Sequence, residues 1–230
     1  ETGGFMISPQ AKTPINKLKP GSAYKPLPGI SAEVFDKSGQ VTKPEEKGYL
    51  VITKPWPGMM TTIYKNPKKY QTTYWSKFEG AYFTGDYAVK DKQGYFFILG
   101  RADEIIVVAG HNISTSEIEN VTTSLPFVAE AAAVGIADPI KGQQIALFAS
   151  LNHKNIDQVQ KQVVSQIRRT IGPFATPSQI FIVDKLPKTR SGKTLRRMLA
   201  SLAENKTIGD ISTLENEEVI GNIAKQMNEK

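Results

Sequence analysis

Between Pro187 and Lys193 the sequence runs Pro-Lys-Thr-Arg-Ser-Gly-Lys, a basic loop with one glycine between an expected strand and an expected helix. Gly192 allows a tight turn, and Lys193 would stand beside the exposed amides at the start of that helix, where the dipole favours anions. A lysine so placed can reach a phosphate or carboxylate as a point charge. The same residues also read as a solvated turn with surface charges, and the glycine and Lys-Ser/Thr spacing of a P-loop is missing. Three further places could do chemistry. Thr84-Gly-Asp86 ends an expected strand, where a carboxylate can accept hydrogen bonds from two vicinal sugar hydroxyls or simply form a turn. Gly100-Arg101-Ala-Asp103 offers a guanidinium for a ribose or phosphate, or a surface ion pair. Gly110-His111 reads as a backbone opening for a thin ligand with the histidine packed beside it. No acid or serine at triad spacing accompanies His111, so it is not a candidate base.

The elements that must hold these residues belong to a chain of 230 residues with 40% hydrophobic side chains, enough for one large domain or two small ones. The absence of cysteine excludes a disulfide framework and a thiolate zinc site, and two histidines leave any metal centre dependent on carboxylates. A cytoplasmic compartment fits, with the mitochondrial matrix as the alternative. No apolar run approaches the roughly 20 residues of a membrane-spanning helix, and a soluble chain is expected. A net charge of +7 and an isoelectric point near 9.4 attract polyanions in general. The basic residues are thinly spread except over 185–197, where Lys185, Lys188, Arg190, Lys193, Arg196 and Arg197 occur with no acid among them. Nucleic-acid binding would need a continuous basic stripe or aromatics interleaved with basic residues. Tyr95-Phe-Phe97 and Tyr74-Trp75 read as core instead.

Up to about Leu99 the chain reads as β structure, with short β-branched or aromatic runs at 32–35, 49–52, 81–84 and 95–99. Asp36-Lys-Ser-Gly39 and Asp91-Lys-Gln-Gly94 are the turns expected among them. After Gly100 the pattern alternates: a strand at 105–108, a loop at 109–113, a helix at 116–124, strands at 131–136 and 145–151, and a helix at 157–171. A strand at 180–183 and helices at 194–203 and 216–226 complete an α+β unit. Ser114-Thr-Ser-Glu117 has capping-box spacing, so Ser114 is expected to start the first of these helices, with Glu117 and Glu119 serving its start and its solvated face.

Taken in order, Glu1-Thr-Gly-Gly4, Thr84-Gly-Asp86, Gly94-Tyr95, Gly100-Arg101-Ala-Asp103, Ala109-Gly-His111 and Glu117-Ile-Glu119 form a series. Val134-Gly135, Lys141-Gly142, Gly172-Pro173 and the Pro187 loop continue it. This series resembles the acetyl-CoA and propionyl-CoA synthetases of the adenylate-forming superfamily, over essentially the whole chain. The resemblance implies that residues 1–102 are the β-rich last subdomain of a large AMP-binding domain. Residues 103–230 would be a small mobile α+β lid with one pose for adenylation and one for thioester formation. It implies ATP and magnesium as cofactors, coenzyme A as co-substrate, and a short-chain carboxylate as the acid. Carried over, Asp86 and Arg101 hold the ribose, Thr2 binds the nucleotide, Glu1 places magnesium and Asp103 is the hinge. Lys193 is the catalytic residue, set between the attacking carboxylate and the α-phosphate where negative charge gathers. Gly110 would line the pantetheine tunnel, and Arg168 would pair with a coenzyme A phosphate. Acetylation of Lys193 would remove its charge and silence adenylation.

The family typically has arginine after the glycine–histidine pair, and this sequence has Asn112, which supplies no charge. Slower adenylation, or compensation by Arg190, is expected. The family's phosphate loop and acyl pocket lie upstream of the Glu-Thr-Gly motif with which this sequence starts. The chain is therefore expected to be a C-terminal portion, unable to form an acyl-adenylate alone, whose partner is its own upstream domain. Neither nucleic acid nor membrane is an expected partner. Lys54-Pro-Trp-Pro-Gly58 and the following Met-Met-Thr-Thr lean towards acetate. The alternatives are propionyl-CoA or other short-chain acyl-CoA synthesis, or an adenylate- or CoA-binding module without turnover.

Overall fold

A computed structural model describes residues 2–153 and 158–228. The chain divides into two units, Glu1–Asp103 and Glu104–Lys230. Each carries its own sheet, all-antiparallel in the first and antiparallel but for one strand in the second, and its own buried clusters, which gives the α+β class expected from the sequence. No helix among the described residues is long and apolar enough to cross a membrane.

In the first unit β1 (Ala32–Phe35), β2 (Lys47–Ile52), β3 (Tyr82–Lys90) and β4 (Phe96–Arg101) form one sheet in that order. Both expected turns form. The Asp36 carboxylate accepts from the Ser38 and Gln40 amides, and the Asp91 carboxylate accepts from those of Gln93 and Tyr95, the Asx geometry that closes short turns. Between β2 and β3 lies a helix that the sequence reading passed over, α1 (Pro67–Tyr74). Asn66 caps it by accepting the Lys69 amide at 3.0 Å, and Pro67 fills the first turn, where no amide is needed. Its Tyr70 and Tyr74, one turn apart, enter the core. Tyr74 stacks on Tyr82 at 4.9 Å, with Trp56 edge-on to Tyr82 at 5.1 Å.

The second unit is built around β7 (Val128–Asp138) and β8 (Gly142–Leu151), paired over most of their length. β5 (Ile105–Val108) meets the start of β8, β6 (His111–Ser114) pairs with β5, and β9 (Gln179–Ile182) runs parallel to β8. Alternate residues point to opposite faces. Ala133, Ile145 and Leu147 pack on one face with α2 (Thr115–Thr123) and α3 (Val159–Thr170). Val134, Ile136, Ala146 and Phe148 pack on the other with α4 (Arg196–Ala203) and α5 (Glu218–Asn228). Burial on both faces explains the unbroken apolar run over residues 145–149 of β8.

Three expectations need correction. Residues 109–113 are a tight hairpin, not a loop: Val108 pairs with His111, and Ala109 (φ 47°) and Gly110 (φ 85°) form a two-residue turn with both φ positive. Ser114 sits at the N-cap of α2 but makes no side-chain cap bond. Its hydroxyl meets that of Ser116 at 2.7 Å, so the hydroxyl half of the capping box is not formed. The helix expected from residue 194 begins at Arg196, because residues 188–194 pair with one another first. The start expected for α3 at Asp157 lies outside the described residues.

Ala109 holds a conformation that favours asparagine or glycine. Ala109→Asn is expected to raise stability by about 0.5–1 kcal/mol. A urea midpoint that fell or stayed put would show the turn is unstrained.

Candidate functional site

The antiparallel register of β3 and β4 sets Asp86 opposite Arg101. The Thr84 hydroxyl donates to the Leu50 carbonyl at 3.0 Å and accepts from the Asp86 amide at 3.2 Å, which fixes the backbone there. Arg101 Nη1 lies 3.4 Å from Asp86 Oδ1 and 3.5 Å from the Thr84 carbonyl, and its Nε lies 3.5 Å from Asp103 Oδ1. Gly85, at φ 84°, makes the arrangement possible: a Cβ there would come within 2.6 Å of the guanidinium. These contacts are long and Arg101 is 54% exposed, so they contribute little to stability and leave donors and acceptors open to a ligand. Asp103 is the last residue of the first unit.

The N-terminal motif is seated on Lys54-Pro-Trp-Pro-Gly58. The Trp56 indole donates to the Thr2 carbonyl at 2.8 Å, and Gly3, at φ 75°, lies so close to Gly58 that a Cβ would meet the Gly58 carbonyl at 2.4 Å. Thr2 turns its hydroxyl to the Gly4 carbonyl. Glu1, the residue assigned to magnesium, lies outside the described residues, and among those described no group of three or more metal-ligating side chains gathers.

Lys193 stands on a closed hairpin. The Thr189 amide donates to the Lys193 carbonyl and the Gly192 amide to the Thr189 carbonyl, both at 2.8 Å; the Lys193 amide donates to Thr189 Oγ1 at 3.1 Å. Leu195 N–H closes the base on the Pro187 carbonyl at 2.8 Å. From outside, Thr189 bridges to Leu214, Glu215 N–H reaches the Lys188 carbonyl at 2.9 Å, and Lys188 pairs with Glu130. The lysine backbone is thus tied on both sides while its side chain is exposed, and among the described residues its ammonium makes no ion pair. Lys193 is three residues before α4, so its position comes from the hairpin and not from the helix dipole.

Arg196, the first residue of α4, was legible only as part of a basic cluster. Its guanidinium grips Glu119 with two bonds, 3.0 and 2.8 Å, and reaches Glu104 at 3.2 Å. Glu119 also accepts the Ala133 amide at 2.9 Å and is 13% exposed, so it does not belong to a solvated helix face. The Glu119 hydrogen bond, foremost, raises the already high pKa of Arg196. At the other end of α4, Glu204 accepts the Ala137 amide at 2.8 Å. With Lys188 on Glu130 and Arg197 on the Asp210 carbonyl, the cluster is no continuous stripe for phosphates.

Gly110 occupies an exposed turn at φ 85°, and a Cβ there would meet nothing within 4 Å. The next residue, His111, stacks on Phe174 at 4.6 Å, in the turn that follows α3. Arg168 lies in the last turn of α3, exposed, where the helix dipole favours a cation. Asn112 lies in β6 opposite Val107, and Arg190 is exposed on the Lys193 hairpin.

Asp86 and Arg101 lie on the sheet of the first unit and the braced lysine hairpin lies in the second, and the chain is similar to adenylate-forming enzymes on three counts. Residues 117–193 match the AMP-binding enzyme C-terminal domain. The particular relatives are acetyl-coenzyme A synthetases. That of Pyrobaculum aerophilum is 49% identical over 94% of this chain and 33% of its own length, and that of Streptomyces avermitilis 45% identical over 99% and 35%. The chain therefore spans about a third of the length of the curated relatives it matches. In fold it is similar to the acetoacetyl-CoA synthetase of Streptomyces lividans, with a TM-score of 0.77 over 91% of this chain and 32% of that one at 21% identity.

The Gly85 cradle gives a direct test. Gly85→Ala should cost about 1–3 kcal/mol of stability, from the positive φ and the displaced guanidinium together. Adding Arg101→Ala should recover the second part. A loss below about 0.5 kcal/mol in chemical denaturation would mean that Arg101 moves freely aside.

Proposed function

We propose that this chain is the part of an ATP-dependent acid–thiol ligase that holds the nucleotide ribose and supplies the catalytic lysine, joining acetate to coenzyme A. In the first half-reaction a carboxylate oxygen attacks the α-phosphorus of ATP, and the bond to pyrophosphate breaks. In the second, the coenzyme A sulfur attacks the carbonyl of the acyl-adenylate, AMP leaves, and the thiol proton passes to solvent. The observation that carries the proposal is the Lys193 hairpin: its backbone is fixed by hydrogen bonds on both sides, and its ammonium makes no ion pair among the described residues. A preorganised cation stabilises charge that gathers on the α-phosphate without reorganising at the moment of reaction.

Asp86 and Arg101 fit the ribose. The carboxylate can accept from both vicinal hydroxyls, and the half-exposed guanidinium can donate to a ring or hydroxyl oxygen. Thr2, held by Trp56, would sit by the nucleotide, and Asp103 would be the hinge. Gly110 and Arg168 would meet coenzyme A on its pantetheine and phosphate parts. Magnesium would be placed by Glu1. The partner of the chain would be its own upstream domain, in the cytoplasm.

The test is acid-dependent ATP–pyrophosphate exchange by this chain joined to the upstream part of the Pyrobaculum enzyme, with acetate, propionate and butyrate. Exchange highest with acetate, falling about 100- to 1000-fold in Lys193→Ala, is the expected result. Highest kcat/KM with propionate would move the assignment to that acid. A folded, ATP-binding chimera without exchange would reduce the chain to a binding module.

A further inference from the structure

We propose that Glu119, Arg196 and Glu104 form a positioning clamp that aims Lys193, a role that rests on the lysine's function proposed above. The hairpin closes at the Leu195–Pro187 hydrogen bond, and the next residue is Arg196. Whatever orients Arg196 orients the hairpin base. Its guanidinium fork is matched to both oxygens of Glu119, a geometry that fixes direction as well as distance. Glu119 is in turn pinned to β7 through the Ala133 amide. The third contact, to Glu104, reaches the first residue of the second unit, which follows Asp103. One side chain therefore ties the base of the catalytic hairpin to a helix, to the central strands and to the point where the chain enters the unit.

A cation held between two partly buried carboxylates is a poor device for stability alone, because apolar residues of the same volume often do as well or better. It is a good device for holding a direction. Lys188 with Glu130 and Thr189 with Leu214 brace the flank of the hairpin, but neither contact fixes its base. Because a misplacement of about 1 Å can cost 100-fold in rate, loosening the base should be felt at Lys193.

The test uses the chimera described above with Arg196→Lys, which keeps the charge but not the fork, and with Glu119→Gln. Each should lower the acetate-dependent exchange kcat by about 10- to 100-fold with the KM for ATP within about twofold of the parent. The deciding measurement repeats both substitutions in the Lys193→Ala background. A residue acting through Lys193 has nothing left to aim there, so the residual rate should change less than about twofold. An equal loss in both backgrounds would make the cluster merely structural and overturn the proposal, as would full activity of the single variants. Amide exchange on this chain gives a second readout. In Arg196→Lys the Thr189, Gly192 and Leu195 amides should exchange about tenfold faster while those of β8 keep their protection. Unchanged hairpin exchange would also count against the clamp. A parent chimera without exchange but with the accelerated amides would sink the function proposed for Lys193 and leave the clamp as a mechanical fact.

Discussion

The guanidinium of Arg196 sits where the second unit's functional parts meet, and two carboxylates far apart in sequence must be present to receive it. Taking a cation largely out of water is unfavourable unless its donors are matched, and here Glu119 and Glu104 match them. Remove that match and α4 loses its anchor to α2 and β7 at the end next to the Lys193 hairpin. The other end of α4 is held by Glu204 on the Ala137 amide. Both anchors reach β7, so the central hairpin of the unit acts as the frame against which the lysine is placed.

That frame is rigid for a different reason. β7 and β8 are buried on both faces, with Leu147 and Ile145 toward α2 and α3 and Phe148 and Val134 toward α4 and α5. A slip of one residue in their register would exchange the two faces and misfit both layers, so the register is strongly specified. Polar anchors placed on such strands inherit their precision, as a functional site needs.

The first unit solves a softer problem. Asp86 and Arg101 face each other across a strand pair but touch only at 3.4 Å, and both keep solvent contact. A tight, bidentate pair would have satisfied both groups and left nothing for a ligand. Gly85 lets the guanidinium lie over the strand, where a Cβ would displace it. The contrast with Arg196 is physical: one arginine is held by three short bonds to two carboxylates, the other makes only long contacts and keeps solvent access.

Much of this was legible from local patterns. Turn chemistry at Asp36 and Asp91, the periodicity of the strands and helices, and the Gly-containing Lys193 loop all depend on neighbours in sequence, and the ordered motifs pointed to the family. Local signals were also present where the reading went astray. Asn66-Pro67 followed by Tyr70 and Tyr74 marks α1, and Ala109-Gly110 marks a two-residue hairpin turn. The partners of Arg196, Glu119, Lys188 and Trp56 had no such signal. Glu119 stands in a helix with acceptable surface spacing, and Arg196 in a run of like charges, so nothing in either segment says that they meet. Sequence by itself determined which elements form and which residue types they carry, because propensity and periodicity act over a few residues. Only the tertiary structure decided which charges are paired and which remain free to act, because that depends on which distant backbone segments the buried faces of β7 and β8 bring together.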